Sequence, residues 1–380
     1  MKIAQVAPLA ESVPPQLYGG TERIVSWLTE ELVRQGHEVT LYASGDSRTA
    51  ARLVPVTPKS LRLRDDVVDP LPYLVRLVER VAADADQFDV LHFHIDHLHY
   101  PLLRRLATPA LTTMHGRMDL PDLPPLFEEF RETALVSISN SQREPLPWAN
   151  WIATVPHGLP LRDIAATTSV TADAYLAFLG RTSPEKGIEE AIEIAHRVGR
   201  PLRVAAKIDD ADASYFEERI RPLLERGNHV EFVGEISDAQ KDEFLGAAAA
   251  TLFPIDWPEP FGLVMVESAA RGTPVLAFRS GSVPEVIEDG VTGLIVRDVA
   301  EAVAAMPALL ALPRDGVRAG IERRFDVGRM ARDYLAVYEG LIAKRAASPA
   351  VDVPDFVIPQ ETPLEPTEII DPEPAVTSTS

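Results

Sequence analysis

Glu259 and Glu267 lie in the stretch FPIDWPEPFGLVMVE, and their surroundings make them the first candidates for chemistry. Pro258 and Pro260 bracket Glu259. Proline removes a backbone donor and restricts the residue before it, so this carboxylate belongs to a stiff loop and not to a helix. Phe261, Gly262 and Leu263 then open a helical segment, GLVMVESAARG, whose free N–H groups and positive dipole end suit an oxygen-rich or anionic ligand. Glu267 follows on that helix. Two carboxylates so placed accept charge-assisted hydrogen bonds from hydroxyls at the two ends of one ligand. The plainer reading, a pair of solvated surface acids, is disfavoured by the enclosing Trp257, Pro258, Pro260, Phe261 and Gly262.

Cations stand at a second turn. In AFLGRTSPEKGIEEAIEIAHRVG a strand ends near Gly180 and a helix follows Gly187, with Arg181 and Lys186 between them. A planar guanidinium fork and a compact ammonium together suit a diphosphate. Gly19 and Gly20 let the backbone approach a phosphate just before another helix, ERIVSWLTEELVRQG. They lack the GxGxxG spacing of a dinucleotide fingerprint, which counts against a dehydrogenase. Lys207, at the end of PLRVAAKI, is a lesser phosphate candidate, and Ser280 to Val283 offer further backbone donors.

Histidines gather in FDVLHFHIDHLHY, where His92 and His94 share one strand face while His97 and His99 follow its end. No fixed tetrahedral geometry follows from that spacing, and no metal is assigned. The strand end is expected to deliver His94 and Asp96 to the acceptor side of a cleft. His115 closes the strand TPALTTMHGR.

The elements that must position these groups alternate strand and helix throughout. KIAQVAP, the amphipathic helix with Ile24, Trp27, Leu28 and Leu32, and HEVTLYAS form the βαβ opening of a doubly wound sheet, in which ligands lie outside the carboxyl ends of the strands. The second half repeats the alternation, and a long helix, MARDYLAVYEGLIAKRA, comes last. The expected fold class is α/β: two doubly wound Rossmann-like domains, residues 1–157 and 158–325, facing across a cleft.

Composition narrows the function classes. The 380 residues are 46% hydrophobic and 25% charged, with a net charge of −20 and no cysteine. Thiol catalysis is excluded, and extended nucleic-acid or anionic-membrane surfaces are disfavoured as partners. No apolar run approaches the roughly 20 residues that span a bilayer. A cytoplasmic location is expected, with peripheral membrane contact left open. From Ser348 the sequence carries seven acids, several prolines and no Lys or Arg, the composition of a disordered tail.

At EPFGLVMVE, a Glu followed after seven residues by a second Glu, the chain resembles the family 4 retaining glycosyltransferases of the GT-B fold. GRTSPEKG resembles that family's diphosphate-binding segment, GGTER its GG-x-E-R segment, and TTMHG its histidine-bearing strand end. VPHG resembles its P-N-G linker with His157 in place of Asn, which leaves the role of His157 open. The resemblance implies His115, Arg181, Lys186 and Glu259 as catalytic residues, and Gly19, Gly20, Phe261, Gly262, Leu263 and Glu267 as donor-binding ones. It implies a UDP- or GDP-sugar donor, an acceptor hydroxyl, no cofactor, and a final helix (about 326–347) that returns to the first domain. Two other readings stay open, a GT-B nucleotide-sugar epimerase and a non-catalytic nucleotide-sugar-binding protein.

Overall fold

The computed structural model describes residues 1–347 other than 18, 63 and 226–228; the acidic stretch from Ser348 lies outside the described residues. The first half of the chain supplies β1 (Lys2–Val6), β2 (Glu38–Ser44), β3 (Arg52–Thr57), β4 (Val90–Phe93), β5 (Ala110–Thr113), β6 (Leu135–Ser137) and β7 (Trp151–Thr154). They form one parallel sheet in the order β3-β2-β1-β4-β5-β6-β7. The second half supplies β8 (Leu176–Arg181), β9 (Leu202–Lys207), β10 (Val230–Phe232), β11 (Ala250–Phe253), β12 (Val275–Phe278) and β13 (Gly293–Val296), ordered β10-β9-β8-β11-β12-β13. Strand order reverses beside β1 and beside β8. These are the places where an open parallel sheet leaves a crevice at its carboxyl edge.

Central strands such as β11 are buried along their whole length, as expected when helices cover both faces. β3 is not evident from the sequence because RLVPVT contains Pro55, which breaks a ladder. The structure places it at a sheet edge, where a missing donor is tolerated. In DAQKDEFLGAAAA the helix stops at Gly246, and Ala250 already belongs to β11. Four alanines suit either element, and burial between β8 and β12 makes the last of them strand.

The final helix, Val327–Ala347, packs Val327, Met330, Ala331, Tyr334 and Tyr338 against Ile3, Ile24, Leu28, Val90 and Leu111 of the first half. Both tyrosines are fully buried. This helix therefore packs against the first sheet.

Two glycines bring the loops of the second sheet together. Gly187 has φ +72°, and a Cβ there would overlap the Pro254 carbonyl after β11. Gly281 has φ +51°, and a Cβ there would overlap the Glu259 backbone. Gly187→Ala combines a left-handed φ with that overlap, so we expect a loss of at least about 3 kcal/mol in unfolding free energy, read by urea denaturation. A loss below about 0.5 kcal/mol would show that the Lys186 loop does not depend on this approach.

Candidate active site

The carboxyl ends of β8, β9 and β11 and the loop after β1 meet in a cleft of about 500 Å³. Of the residues singled out in the sequence, Gly19, Gly20, His115, Arg181, Lys186, Lys207, Glu259, Phe261, Gly262, Leu263 and Glu267 all line it. They come from both sheets. A Cβ on Gly20, at the start of helix Gly20–Arg34, would lie 3.7 Å from Leu263 at the start of helix Leu263–Ala270. The amino ends of two helices thus converge on the cleft, and their unpaired N–H groups favour negative charge between them.

Lys186 and Glu259 face each other: the ammonium donates to Glu259 Oε2 at 2.6 Å, and Trp257 Nε1 donates to the same oxygen at 3.0 Å. The ammonium also lies 4.4 Å from the centre of the Trp257 ring. Trp257, bracketed with Glu259 by the proline loop, thus fixes both charges at one wall. Ser280 and Ser282 hold the loop from behind, through Ser280 Oγ to the Trp257 carbonyl and Ser282 N to the Glu259 carbonyl. Of the expected Ser280–Val283 donors, Ser282 N is spent on this loop and Val283 N on the Ser280 carbonyl, and none of the four residues lines the cleft. Arg181 pairs with Glu185 at 3.2 Å and Asp209 at 3.6 Å, and Asp209 also pairs with Lys207. Three cations, Arg181, Lys186 and Lys207, thus stand around one end of the cleft.

Glu267 is only 4% exposed. Burial works against its ionisation, but Lys241, Arg23 and Arg271 outweigh burial and hold its carboxyl at about 2. Lys241 Nζ donates to it at 2.7 Å, and Arg23 Nε lies 3.9 Å away. Arg23 comes from the helix of the first half and also pairs with Asp238 of the second at 3.0 Å. Neither Lys241 nor Arg23 was singled out in the sequence. The signal was present only as a requirement: a carboxylate buried on a helix needs cations, and SDAQKDEF and GGTER bring them from 26 and 244 positions away.

A folded carboxyl held below its unfolded value of 4.5 adds stability above that value and loses it as pH falls toward 2. The Glu267 contribution is about 3 kcal/mol by this linkage. Glu267→Gln should flatten the acid limb of stability between pH 4.5 and pH 2 by roughly that amount, read as unfolding free energy in urea against pH. An unchanged limb would contradict the ion cluster.

Histidines build another wall. His115 lies at the cleft surface and stacks on His157 at 5.3 Å, and His157 in turn meets the edge of Phe261 at 4.7 Å. His157, whose role the sequence left open, therefore joins the two halves of the site. Burial holds His115 neutral, at about 3, and pushes His92, His94 and His157 well below the usual imidazole range. His94 is not delivered to the cleft. It lies beneath His115, 3% exposed, with one ring nitrogen on His115 and the other on Gln5. Asp96 is exposed, with φ 54°, and does not line the cleft. The strand period places His94 on the correct face, but the neighbouring strand ends further out, and His115 covers it.

Glu22, in the first turn of helix Gly20–Arg34, also lines the cleft, and burial raises its carboxyl to about 6. It is the residue before Arg23, and its acidic character was hidden within GGTER. Taken together, the cleft offers cations for a phosphate group, carboxylates for hydroxyls, and a neutral imidazole wall.

Comparison with known proteins points one way. Residues 18–159 match the family model described as Glycosyltransferase Family 4, and residues 162–320 match that described as Glycosyl transferases group 1. The chain is 26% identical to a phosphatidyl-myo-inositol mannosyltransferase of Mycobacterium leprae (strain TN), over 89% of this chain and 96% of that protein. It is 26% identical to a glycogen synthase of Mycobacterium tuberculosis (strain CDC 1551 / Oshkosh), over 78% of this chain and 84% of that one. Among solved structures, AviGT4, a glycosyltransferase involved in avilamycin A biosynthesis, superposes with a TM-score of 0.69 and 26% identity, covering 90% of this chain and 98% of its own.

Proposed function

Since this chain belongs to the family 4 glycosyltransferases, with their GT-B fold, we propose that it transfers a sugar from a nucleoside diphosphate sugar, a UDP- or GDP-sugar, to an acceptor hydroxyl with retention at the anomeric carbon. The observation that carries this reading is that one cleft is lined together by the cations Arg181, Lys186 and Lys207, the carboxylates Glu259 and Glu267, and His115. Relatives named for mannosyl transfer and glycogen synthesis support a hexosyl donor.

Breaking the anomeric C–O bond leaves positive character on the sugar and negative charge on the departing diphosphate. Arg181, Lys186 and the amides at Gly19–Gly20 and Gly262–Leu263 stabilise that negative charge where it develops. Glu267 accepts hydrogen bonds from a diol such as a ribose. Glu259, already oriented by Lys186 and Trp257, accepts them from the sugar. The departing phosphate oxygen takes the proton of the acceptor hydroxyl as the new C–O bond forms on the face it vacates, so no protein base is required. Cofactor and metal have no part in this scheme: Glu259 is paired with Lys186, and Asp209 with Lys207 and Arg181, so protein cations fill the place of a metal charge.

No helix among the described residues is long and apolar enough to cross a membrane. We place the reaction in the cytoplasm, with peripheral contact to a membrane-borne acceptor left to the acceptor's own chemistry.

The test is product analysis by proton NMR on a donor that binds. The reading requires release of the nucleoside diphosphate and a product, glycoside or hydrolysed sugar, that first appears with the donor's anomeric configuration, unaltered by EDTA. Inversion would exclude retention. Conversion of the sugar without a net requirement for acceptor or water would favour the epimerase, and tight binding without turnover the non-catalytic protein.

A further inference from the structure

Beneath His115 runs a buried chain of six polar side chains. His115 Nε2 meets His94 Nδ1 at 2.8 Å, and His94 Nε2 meets Gln5 Oε1 at 2.8 Å. Gln5 Nε2 donates to the Tyr338 hydroxyl at 3.1 Å, which meets His92 Nδ1 at 2.7 Å. His92 Nε2 then meets Thr113 Oγ1 at 2.7 Å, and Thr113 meets the Tyr334 hydroxyl at 2.9 Å. Gln5, His92, Thr113, Tyr334 and Tyr338 are completely buried. Water cannot substitute for a missing partner there, so every link needs one donor and one acceptor.

Hydroxyls and neutral imidazoles fit such a chain in either direction, because a hydroxyl rotates and an imidazole exchanges tautomers. Gln5 does not. Its carbonyl only accepts and its amide nitrogen only donates, so its orientation sets the direction of the two links that run from it to His115. With Oε1 toward His94, His94 must carry its proton on Nε2 and accept at Nδ1. The proton between His94 and His115 then belongs to His115 Nε2.

We infer that Gln5 is a positioning residue that fixes His115 as the Nε2–H tautomer, leaving Nδ1 as a hydrogen-bond acceptor for a hydroxyl of the bound sugar. His115 Nδ1 has no hydrogen-bond partner among the described residues, and the residue lines the cleft. The recipient is a hydroxyl because a neutral Nδ1 lone pair attracts an O–H and repels phosphate oxygens. Tyr338 receives the amide N–H, so the returning helix Val327–Ala347 supplies the partner on the far side of Gln5 from His94. That the hydroxyl belongs to a sugar rests on the glycosyltransferase reading; the tautomer does not.

The test is a long-range nitrogen–proton correlation spectrum of the full chain labelled with nitrogen-15 histidine, assigned with a His115→Asn variant. Wild type is expected to show His115 with Nε2 protonated and Nδ1 bare. Gln5→Met, similar in size and without polar atoms, should shift His115 toward a tautomer mixture. It should lower the turnover of a bound donor about five- to tenfold, the worth of one hydrogen bond, with little change in donor KM. A wild-type His115 protonated at Nδ1 overturns the proposal, and so does a Gln5→Met spectrum identical to wild type. If Gln5→Met does not fold, the wild-type spectrum alone decides. A bare Nδ1 in a protein that turns over no nucleotide sugar supports the tautomer assignment and counts against the transferase reading instead.

Discussion

Lys186→Ala lowers kcat/KM for sugar transfer by about 10²–10³-fold, the scale for removing one preorganised group that stabilises developing charge in a dry site. Lys186 is held for this role. Its ammonium is fixed by the Glu259 carboxylate at 2.6 Å and by the Trp257 ring at 4.4 Å, on a turn whose Gly187 allows the approach to Pro254. The side chains of Lys186 and Glu259 are only 13% and 12% exposed, so their interaction is poorly screened. The two residues act as a unit. Lys186→Met combined with Glu259→Gln is therefore expected to cost little more than Lys186→Met alone. Steady-state kinetics of Lys186→Met, Glu259→Gln and the double variant checks this, and full additivity of the two single losses would mean that the pair has no joint role.

Glu267→Ala is expected to have a second large effect, on stability and donor binding together. It takes the buried carboxylate from Lys241 and Arg23 and leaves them only the half-exposed Asp238, and breaking a buried ion cluster from one side costs about 3–5 kcal/mol, of which Asp238 offsets a part. The same change removes the acceptor for a diol, so the rise in midpoint produced by the donor should vanish. Lys241→Met separates the two consequences. It leaves the Glu267 carboxylate to Arg23 and Arg271, so its loss of stability should be smaller than that of Glu267→Ala, while Glu267 remains for the ligand. Thermal unfolding of both variants with and without donor reads the difference. Equal donor shifts in wild type and Glu267→Ala would remove Glu267 from the binding site.

Local signals carried much of the site. Proline on both sides of Glu259, glycine before each helix and cations at a strand-to-helix turn are each properties of a few consecutive residues, and the structure brings all of these stretches to one cleft. The alternation of strand and helix likewise gave the parallel architecture. Contacts between distant segments were not readable. Lys241 meets Glu267 across 26 positions and Arg23 reaches Asp238 across 215, with no spacing rule to announce either. His94 shows the limit of periodicity: two-residue spacing identified its face, but only the length of the adjacent strand puts His115 above it. β3 was hidden by Pro55, whose tolerance depends on being at an edge, a property of the whole sheet.

The acceptor side is the least determined by local sequence. Asp96 is exposed away from the cleft, whereas Glu11 and Arg62 pair with each other within it, and Arg62 also lies 3.7 Å from Glu235 of the second half. These charges come from connections that follow β1, β3 and β10, whose lengths and compositions no strand or helix pattern constrains.

The central claim, that this cleft binds a nucleoside diphosphate sugar, is tested most directly by thermal unfolding of the full chain against UDP-, GDP- and ADP-sugars, with Lys186→Ala and Glu267→Ala alongside. Binding to the native state alone raises the midpoint by mass action, about 2.7 kcal/mol of stabilisation at a hundredfold excess over Kd, and needs no knowledge of the acceptor. The account predicts that one class of donor raises the wild-type midpoint and that both substitutions abolish the rise. No rise with any donor, with or without a divalent metal, or a rise that survives both substitutions, would contradict it.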